Sequence, residues 1–167
     1  IADMRDTALD DLKQVMEVNA WANKTLLDAL FARDIPVGQV VGISSGAAVL
    51  GNRGWSGYAL SKAALNMLLR LYARELPQTH FSALAPGLID SRMMDYLCAD
   101  PDPQRFPALD RIRAARGTER MPGPQEAAER VFAVLEKLRD FPSGEFIDIR
   151  QIKAPEEYAE LMAGRCS

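Results

Sequence analysis

The chain has 167 residues, a length that builds one domain with a hydrophobic core. Its net charge of −3 argues against a nucleic-acid partner, and no apolar run reaches the roughly 20 residues that cross a bilayer. The single histidine, His80, and the two cysteines, Cys98 and Cys166, lie far apart, so we expect no resident metal. Two separated free thiols are typical of a reducing compartment, and the cytoplasm is the expected location.

A long helix is predicted at the beginning of the chain, over residues 6–33. Thr7 and Asp10 resemble its N-terminal cap, and Pro36 and Gly38 break the pattern after it. Residues at spacings of three and four form its apolar stripe. The stripe contains Leu12, Met16, Leu26, Leu27 and Leu30.

Three short apolar runs predict strands, at residues 39–43, 81–85 and 144–149. Continuous apolar runs are typical of strands that are buried on both faces, as in a parallel sheet. Residues 44–57 are rich in glycine and serine and predict a loop. A Pro-Gly pair follows the second strand and stops it.

The remaining segments predict helices at residues 58–75, 125–139 and 155–163. Prolines interrupt residues 90–120, which favours short helices and a mobile lid there. Helices alternate with strands, and this order predicts an α/β fold with a parallel sheet covered by helices on both faces. Three strands make a thin sheet, so part of the domain is expected to be missing.

Tyr58 and Lys62 are four positions apart, on one face at the start of the second long helix. An ammonium group favours a nearby phenolate, so such a tyrosine can exchange a proton with an alcohol or an alkoxide. Ser45 follows a predicted strand, where ligands bind in parallel sheets, and could hold a substrate oxygen. A solvated surface pair and a turn serine are the alternatives. Asn19 interrupts the apolar stripe of the first helix, either as a satisfied core amide or as part of a site.

Four further matches in the same order make the sequence similar to the short-chain dehydrogenase/reductase family. They are Val18-Asn19, the Gly-Ile-Ser-Ser-Gly run at 42–46 followed by Tyr-Ala-Leu-Ser-Lys at 58–62, the Pro-Gly motif at 85–91, and the segment 120–127. The resemblance implies a Rossmann-like, doubly wound parallel sheet. Residues 1–167 would be the C-terminal catalytic part of one such domain, with its first strands missing, and would be inactive by themselves. The family's glycine-rich phosphate loop and its Asn-Asn-Ala-Gly motif would lie before Ile1.

The resemblance also implies catalytic roles. Tyr58 would be the acid and base, and Lys62 would lower its pKa and bind the nicotinamide ribose. Ser45 would polarise the substrate carbonyl. Asn19 would hold a water molecule that connects Lys62 with solvent.

The same resemblance places the nicotinamide carboxamide against Pro86 and Gly87, the backbone of Ile89, and Ser91. The family more often has threonine where Ser91 stands, and serine keeps the hydroxyl. NADP is the expected cofactor and NAD stays an alternative, because the residues that select between them would lie before Ile1.

Trp55 and Asp148 are similar to residues of the sepiapterin reductase and benzil reductase branch. This resemblance implies a dicarbonyl or pterin-like substrate, with Asp148 anchoring a pterin ring and Trp55 forming a pocket wall. A salt bridge to Arg150 and plain loop packing are the alternatives. Residues 93–123 are the predicted substrate lid, in which Met93 contributes an apolar contact.

Three functional hypotheses follow. The first is an NADP-dependent carbonyl reductase for a small molecule, and the second is a non-catalytic remnant that serves as a dimerisation or interaction module. The third is a family reductase for another carbonyl compound, such as an acyl-carrier-protein ketone or a steroid. Because the family commonly pairs the helices that carry Asn19 and Tyr58, we expect a homodimer or a homotetramer that contains it.

Overall fold

Three parallel strands form the centre of the fold in the computed structural model, which describes residues 1–33 and 35–163. Strands β1 (Gln39–Ile43), β2 (His80–Ala85) and β3 (Glu145–Asp148) lie side by side in that order. This confirms the predicted α/β class and all three strands. The prediction for Cys166 falls outside the described residues.

The first helix is continuous from Leu9 but is not uniform. It consists of α1 (Leu9–Met16), a π-helical segment (Glu17–Trp21) and α2 (Ala22–Phe31). The predicted cap was wrong, because α1 begins after Ala8 without a side-chain cap. The hydroxyl of Thr7 instead donates to the Asp3 carbonyl at 2.9 Å.

The predicted loop at residues 44–57 contains a short helix, α3 (Ala47–Leu50), so the prediction was wrong for that stretch. Helix α4 (Ser56–Glu75) begins two residues earlier than predicted and ends two residues before Pro77. Its long side chains Leu65 and Leu69 are almost fully buried. Helix α4 packs on the sheet with these residues and on α1 with another face.

Beyond β2 the chain forms the short helices that its prolines predicted, α5 (Arg92–Ala99) and α6 (Ala108–Ala115). These two helices enclose a small apolar cluster of their own around Leu109. The single helix predicted at 125–139 is divided into α7 (Pro124–Phe132) and a 3₁₀ turn (Glu136–Asp140). At the division, the side chain of Gln39 donates to the Leu135 carbonyl at 2.9 Å.

The end of the chain contains α8 (Ile149–Lys153) and α9 (Pro155–Ala163). Helix α9 matches the predicted tail helix. Strand β3 ends at Asp148, one residue before its predicted end, because the Asp148 side chain caps α8. Within the described ranges, no helix has both the length and the apolar character to span a membrane.

The sheet is covered on both faces, as predicted. Phe81 and Ala83 of β2 pack with Leu65 and Leu69 of α4 on one face. Leu84 packs on the other face with Val134 and Leu138, which lie after α7. Because successive residues of a strand point to opposite faces, β2 contributes side chains to the apolar clusters on both faces of the sheet.

Glycine sets the distance between β1 and α4. A Cβ atom on Gly42 would lie 2.5 Å from Cδ1 of Leu69, closer than carbon atoms approach without strain. Gly57 serves the same purpose where α4 meets α1, since a Cβ there would lie 2.8 Å from Cδ2 of Leu12. The helix is therefore held tightly between the sheet and α1.

Ion pairs of Asp3 with Arg53 and Arg105, here called the hub, connect the first residues with two segments distant in sequence. The Asp3 carboxylate accepts two hydrogen bonds from Arg53, at 2.6 and 2.7 Å, and others from Arg105 at 3.0 and 3.2 Å. These bonds, first those of Arg53, hold the pKa of Asp3 well below its ordinary value. Next to Arg105, the ring of Phe106 packs where a Cβ atom on Gly54 would otherwise lie. The hub thus joins the residues before α1, the loop after α3 and the segment before α6.

Candidate active site

The structure brings Tyr58 and Lys62 to the carboxyl end of β1. Lys62 Nζ donates to the carbonyl of Ile43, the last residue of that strand, at 2.9 Å. The same nitrogen lies 5.8 Å from the centre of the Tyr58 ring. The Trp55 ring packs against the Tyr58 ring, with 5.9 Å between the two ring centres.

The ammonium group of Lys62 is partly removed from water, and this burial lowers its pKa. A buried cation is stabilised by hydrogen-bond acceptors and by aromatic faces. Lys62 has both, in the Ile43 carbonyl and the Tyr58 ring. Its position next to the phenol is therefore fixed by the strand and not by a flexible surface contact.

Asn19 lies in the π-helical segment, a type of turn that often occurs at functional sites. Its amide nitrogen donates to the Ser61 hydroxyl at 3.0 Å, and that hydroxyl donates to the Tyr58 carbonyl at 2.8 Å. The Asn19 side chain thus has a hydrogen-bond partner, and through Ser61 it is linked to the backbone carbonyl of Tyr58. Its water-mediated connection with Lys62 stays a prediction.

Sequence reasoning missed Ser61 and Asn66. Ser61 is fully buried between Asn19 and the first turns of α4. Asn66 accepts a hydrogen bond from the hydroxyl of Ser44, the buried neighbour of Ser45. The available signal for Asn66 was its spacing, since positions 58, 62 and 66 repeat every four residues along one face of a helix.

Ser45 stands just beyond β1 and before α3. Its Oγ accepts a hydrogen bond from the amide of Ala47 at 3.2 Å, so the turn function expected as an alternative is present. The preceding amide, of Ser44, donates to Leu84 at 2.7 Å and continues the strand pairing up to the site. The hydroxyl of Ser45 is thereby carried on a rigid backbone.

A cavity of about 70 Å³, the Ser45 cavity, joins residues from four distant segments. Ser45, Trp55, Ile112 and Asp148 are among its lining residues. The structure therefore brings together four of the residues singled out from the sequence, Ser45, Trp55, Gly87 and Asp148. Met93, in contrast, is 46% exposed on α5, while its neighbour Met94 is buried in the core.

Asp148 is only 1% exposed, and its carboxylate is already partnered. Arg150 donates to both oxygens, from Nε at 2.8 Å and from Nη2 at 2.6 Å. The backbone amide of Arg150 adds a third bond at 3.0 Å. The salt bridge that was the alternative for Asp148 is thus confirmed, and Asp148 also lines the Ser45 cavity.

The Pro-Gly motif follows β2 beside this cavity. Gly87 has a φ of +85°, in the left-handed region that favours glycine. Two residues beyond Ile89, Ser91 accepts the amide hydrogens of Met94 and Asp95 at 2.7 and 3.1 Å through its carbonyl. The Ser91 hydroxyl makes no capping hydrogen bond to α5.

The structure thus has a parallel sheet with Ser45, Tyr58 and Lys62 near the carboxyl end of its first strand. The chain belongs to the short chain dehydrogenase family, whose model matches residues 1–102. This confirms the family that the motifs indicated.

Among the relatives is benzil reductase ((S)-benzoin forming) of Bacillus subtilis (strain 168), 30% identical over 155 residues. That alignment covers 87% of this chain and 62% of the relative. The chain therefore spans somewhat less than two thirds of the length of this relative.

Solved structures share the fold. A short chain dehydrogenase/reductase of Saccharomyces cerevisiae, YIR035C, superimposes with a TM-score of 0.75 at 22% identity, over 89% of this chain and 60% of that one. The angucycline C-6 ketoreductase LanV, solved with bound NADP, has a TM-score of 0.68 at 22% identity, over 89% and 56%.

Proposed function

We propose that this protein is an oxidoreductase that transfers hydride between a nicotinamide cofactor and a carbonyl or alcohol. The observation that carries the proposal is the position of Lys62 Nζ between the Ile43 carbonyl and the Tyr58 ring. A small cavity lined by Ser45 and Trp55 adjoins this pair and offers room for a carbonyl group. Residues 1–167 are then the C-terminal catalytic part of a single Rossmann-like domain, and residues 93–123 are its substrate lid.

The residues at the carboxyl end of the sheet fit a nicotinamide cofactor. Lys62 uses one of its three N–H groups on Ile43, which leaves two for ribose hydroxyls. A Cβ atom on Gly87 would meet only Ile149, at 3.8 Å, so the backbone beside Pro86 can be approached by a flat ring. The Ile89 backbone and the Ser91 hydroxyl would bind its carboxamide.

Proton transfer belongs to the protein's own side chains. A bound nicotinamide would supply the hydride to the carbonyl carbon. Ser45 donates a hydrogen bond to the carbonyl oxygen, and Tyr58 gives that oxygen its phenolic proton as the alcohol forms. Lys62 stabilises the phenolate that remains, and Asn19 holds the water through which the proton is restored.

The proposed substrate is a dicarbonyl or pterin-like compound, and the proposed cofactor is NADP. The benzil reductase relative supports the first, since a benzil molecule has two adjacent carbonyl groups. The bound NADP of the ketoreductase LanV agrees with the second. Trp55 and Met93 would contact the apolar part of the substrate, and Asp148 would orient a polar ring.

A homodimer, or a homotetramer that contains it, is the proposed assembly in the cytoplasm. Exposed apolar side chains on the first helix and on α4 support this pairing. They are Val18, Trp21 and Leu26 on the former, and Leu60, Met67 and Leu71 on the latter. Leu26 is 67% exposed, and several exposed apolar side chains on two helices, unlike a single exposed leucine, suit a protein interface.

The experiment that tests the function is replacement of the proton donor, Tyr58→Phe, in the full-length protein that contains these residues, with benzil and NADPH as substrates. All activity and binding measurements use that full-length protein, because residues 1–167 by themselves are expected to be inactive. We expect a loss of turnover of ~10²-fold to 10⁴-fold, because general acid catalysis contributes about that much. Cofactor binding should remain, since the ring stays in place. Tyr72→Phe on the same helix is the matched control, because Tyr72 bonds to Asp28 away from the site.

Turnover by Tyr58→Phe at the rate of Tyr72→Phe would contradict the assignment. A protein that binds no nicotinamide cofactor and reduces no carbonyl compound would favour the alternative function, a dimerisation or interaction module.

A further inference from the structure

Arginine side chains surround the proposed substrate site. Arg111 and Arg150 line the Ser45 cavity together with Ser45 itself. Both arginines also line two adjoining cavities of about 440 and 680 Å³, where Arg120 joins them. Three guanidinium groups therefore border a continuous region next to the reacting centre.

These arginines differ in what they already bind. Arg150 is held by the bidentate pair with Asp148. Arg111 and Arg120 have no side-chain hydrogen bond or ion pair within residues 1–33 and 35–163. Desolvation, followed by the charge of Arg150, lowers the pKa of Arg111, while the charges of Asp148 and Glu157 act in the opposite direction.

The positive charge is local, because the chain as a whole carries a net charge of −3. Around the 440 Å³ cavity, five cationic side chains face only Glu119 and Glu157. Asp148, the one carboxylate of the Ser45 cavity, is occupied by Arg150. Arg130 and Arg150 are paired with Glu126 and Asp148, so at the 440 Å³ cavity an anion meets three cations without an ion pair in the described part of the chain, Arg111, Arg120 and Lys153, and two carboxylates.

A guanidinium group that lines a cavity and has no ion-pair partner is stabilised by a ligand that brings a negative charge. Its planar fork matches a carboxylate with two parallel hydrogen bonds. Because Arg111 and Ser45 line the same small cavity, the charged group and the reducible carbonyl must be near neighbours in the substrate.

We propose that the substrate is a carbonyl compound with a carboxylate beside the reducible carbonyl, and that Arg111 binds this carboxylate. The inference rests on the proposed reductase function and narrows its dicarbonyl substrate to a 2-oxo acid. Arg120 lies further out, along the path by which such an anion enters.

The test compares benzoylformate with its methyl ester, which have the same ketone and ring but differ in charge. In the wild type we expect kcat/KM for the acid to exceed that for the ester at least tenfold, as for a hydrogen bond to a charged group. Arg111→Met should remove this preference and keep kcat/KM for the ester within about threefold of the wild-type value, because methionine keeps the apolar stem but not the charge. Arg74→Met on exposed α4 surface is the matched control and should preserve the preference.

Three outcomes would overturn the inference. They are equal use of acid and ester by the wild type, an acid preference that survives in Arg111→Met, and weaker NADPH binding in Arg111→Met with equal losses for both compounds. The last would assign Arg111 to a cofactor phosphate.

Calorimetric titration separates this inference from the proposed function. If neither compound is reduced, but the wild type binds benzoylformate at least tenfold more tightly than Arg111→Met does, the 2-oxo acid site stands and the reductase function fails. If the ester is reduced and the acid neither binds nor reacts, the reductase function stands and the 2-oxo acid site fails.

Discussion

Gly42→Ala should damage both the stability and the activity of this protein through one contact. The added Cβ would lie 2.5 Å from Cδ1 of Leu69, whereas carbon atoms are in favourable contact at about 3.5–4.0 Å. Leu69 is 1% exposed in a close-packed core, so its methyl group can turn aside only against buried neighbours, and we expect α4 to move away from β1 by about 1 Å. Overpacking of this kind destabilises a core by about 1–3 kcal/mol.

The same movement displaces Tyr58 and Lys62, which α4 carries, from Ser45 and the Ile43 carbonyl. A misplacement of about 1 Å can reduce catalysis about 100-fold. We therefore expect a lower kcat/KM for benzil together with a melting temperature lower by about 2–12 °C, for a chain of this length.

Thermal unfolding and steady-state kinetics measure the two effects, with Gly123→Ala as control. A Cβ on Gly123 would meet nothing within 4 Å, and its φ of −65° suits alanine. Leu69→Val in the Gly42→Ala background removes the clashing atom and should restore part of the activity. If Gly42→Ala melts and reacts like Gly123→Ala, the contact between β1 and α4 does not set the geometry of the site.

Three further changes test other parts of the molecule. In Lys62→Met the alkaline limb of carbonyl reduction should move to higher pH and cofactor affinity should fall together, because a phenolate loses its neighbouring cation; an unchanged pH profile and affinity would reduce Lys62 to a surface residue. Asp148→Ala should lower the free energy of unfolding by about 1–3 kcal/mol in urea titrations, since it leaves the partly buried Arg150 with only its longer ion pair to Glu157 at 4.0 Å, and a cost well under about 1 kcal/mol would refute this. It should also raise the KM of a pterin-like substrate far more than that of a small diketone. Because the pKa of Asp3 is held low, its ion pairs stabilise the fold above the ordinary pKa of about 3.9 and are lost as the pH falls below it. The melting temperature of Asp3→Asn should thus lie below that of the wild type at pH 7 and approach it at acidic pH. An equal difference at both pH values would show that the ion pairs of Asp3 do not stabilise the fold.

The three strands and the position of Tyr58 and Lys62 at the end of β1 could be predicted because each leaves a regular signal. Strand β1 is a continuous apolar run, and Tyr58 and Lys62 repeat at the spacing of one helical turn. Short helices leave weaker signals. Residues 47–50 complete a single turn between glycines, too short for a periodic pattern to differ from that of a loop. The division of the helix predicted at 125–139 depends on a tertiary hydrogen bond from Gln39.

Contacts between side chains distant in sequence were the least predictable. Nothing in the pattern of the first helix indicates that Asn19 meets Ser61, or that Ser44 meets Asn66. Arg111 is one arginine among several in a charged segment, and its place beside Ser45 depends on how α6 folds back over the sheet. Such contacts follow from tertiary packing, which single-sequence periodicity does not contain.

Because of the hub at Asp3, the segment between β2 and α7 cannot be moved by itself into another protein without losing contacts. Arg105 of that segment has its carboxylate partner in the residues before α1, and Phe106 fills a space created by Gly54. A graft of residues 93–123 into another reductase would carry the apolar cluster around Leu109 but leave Arg105 without Asp3. A transfer of this segment between relatives therefore has to move three separate stretches of sequence together: the residues around Asp3, the loop with Arg53 and Gly54, and the segment itself.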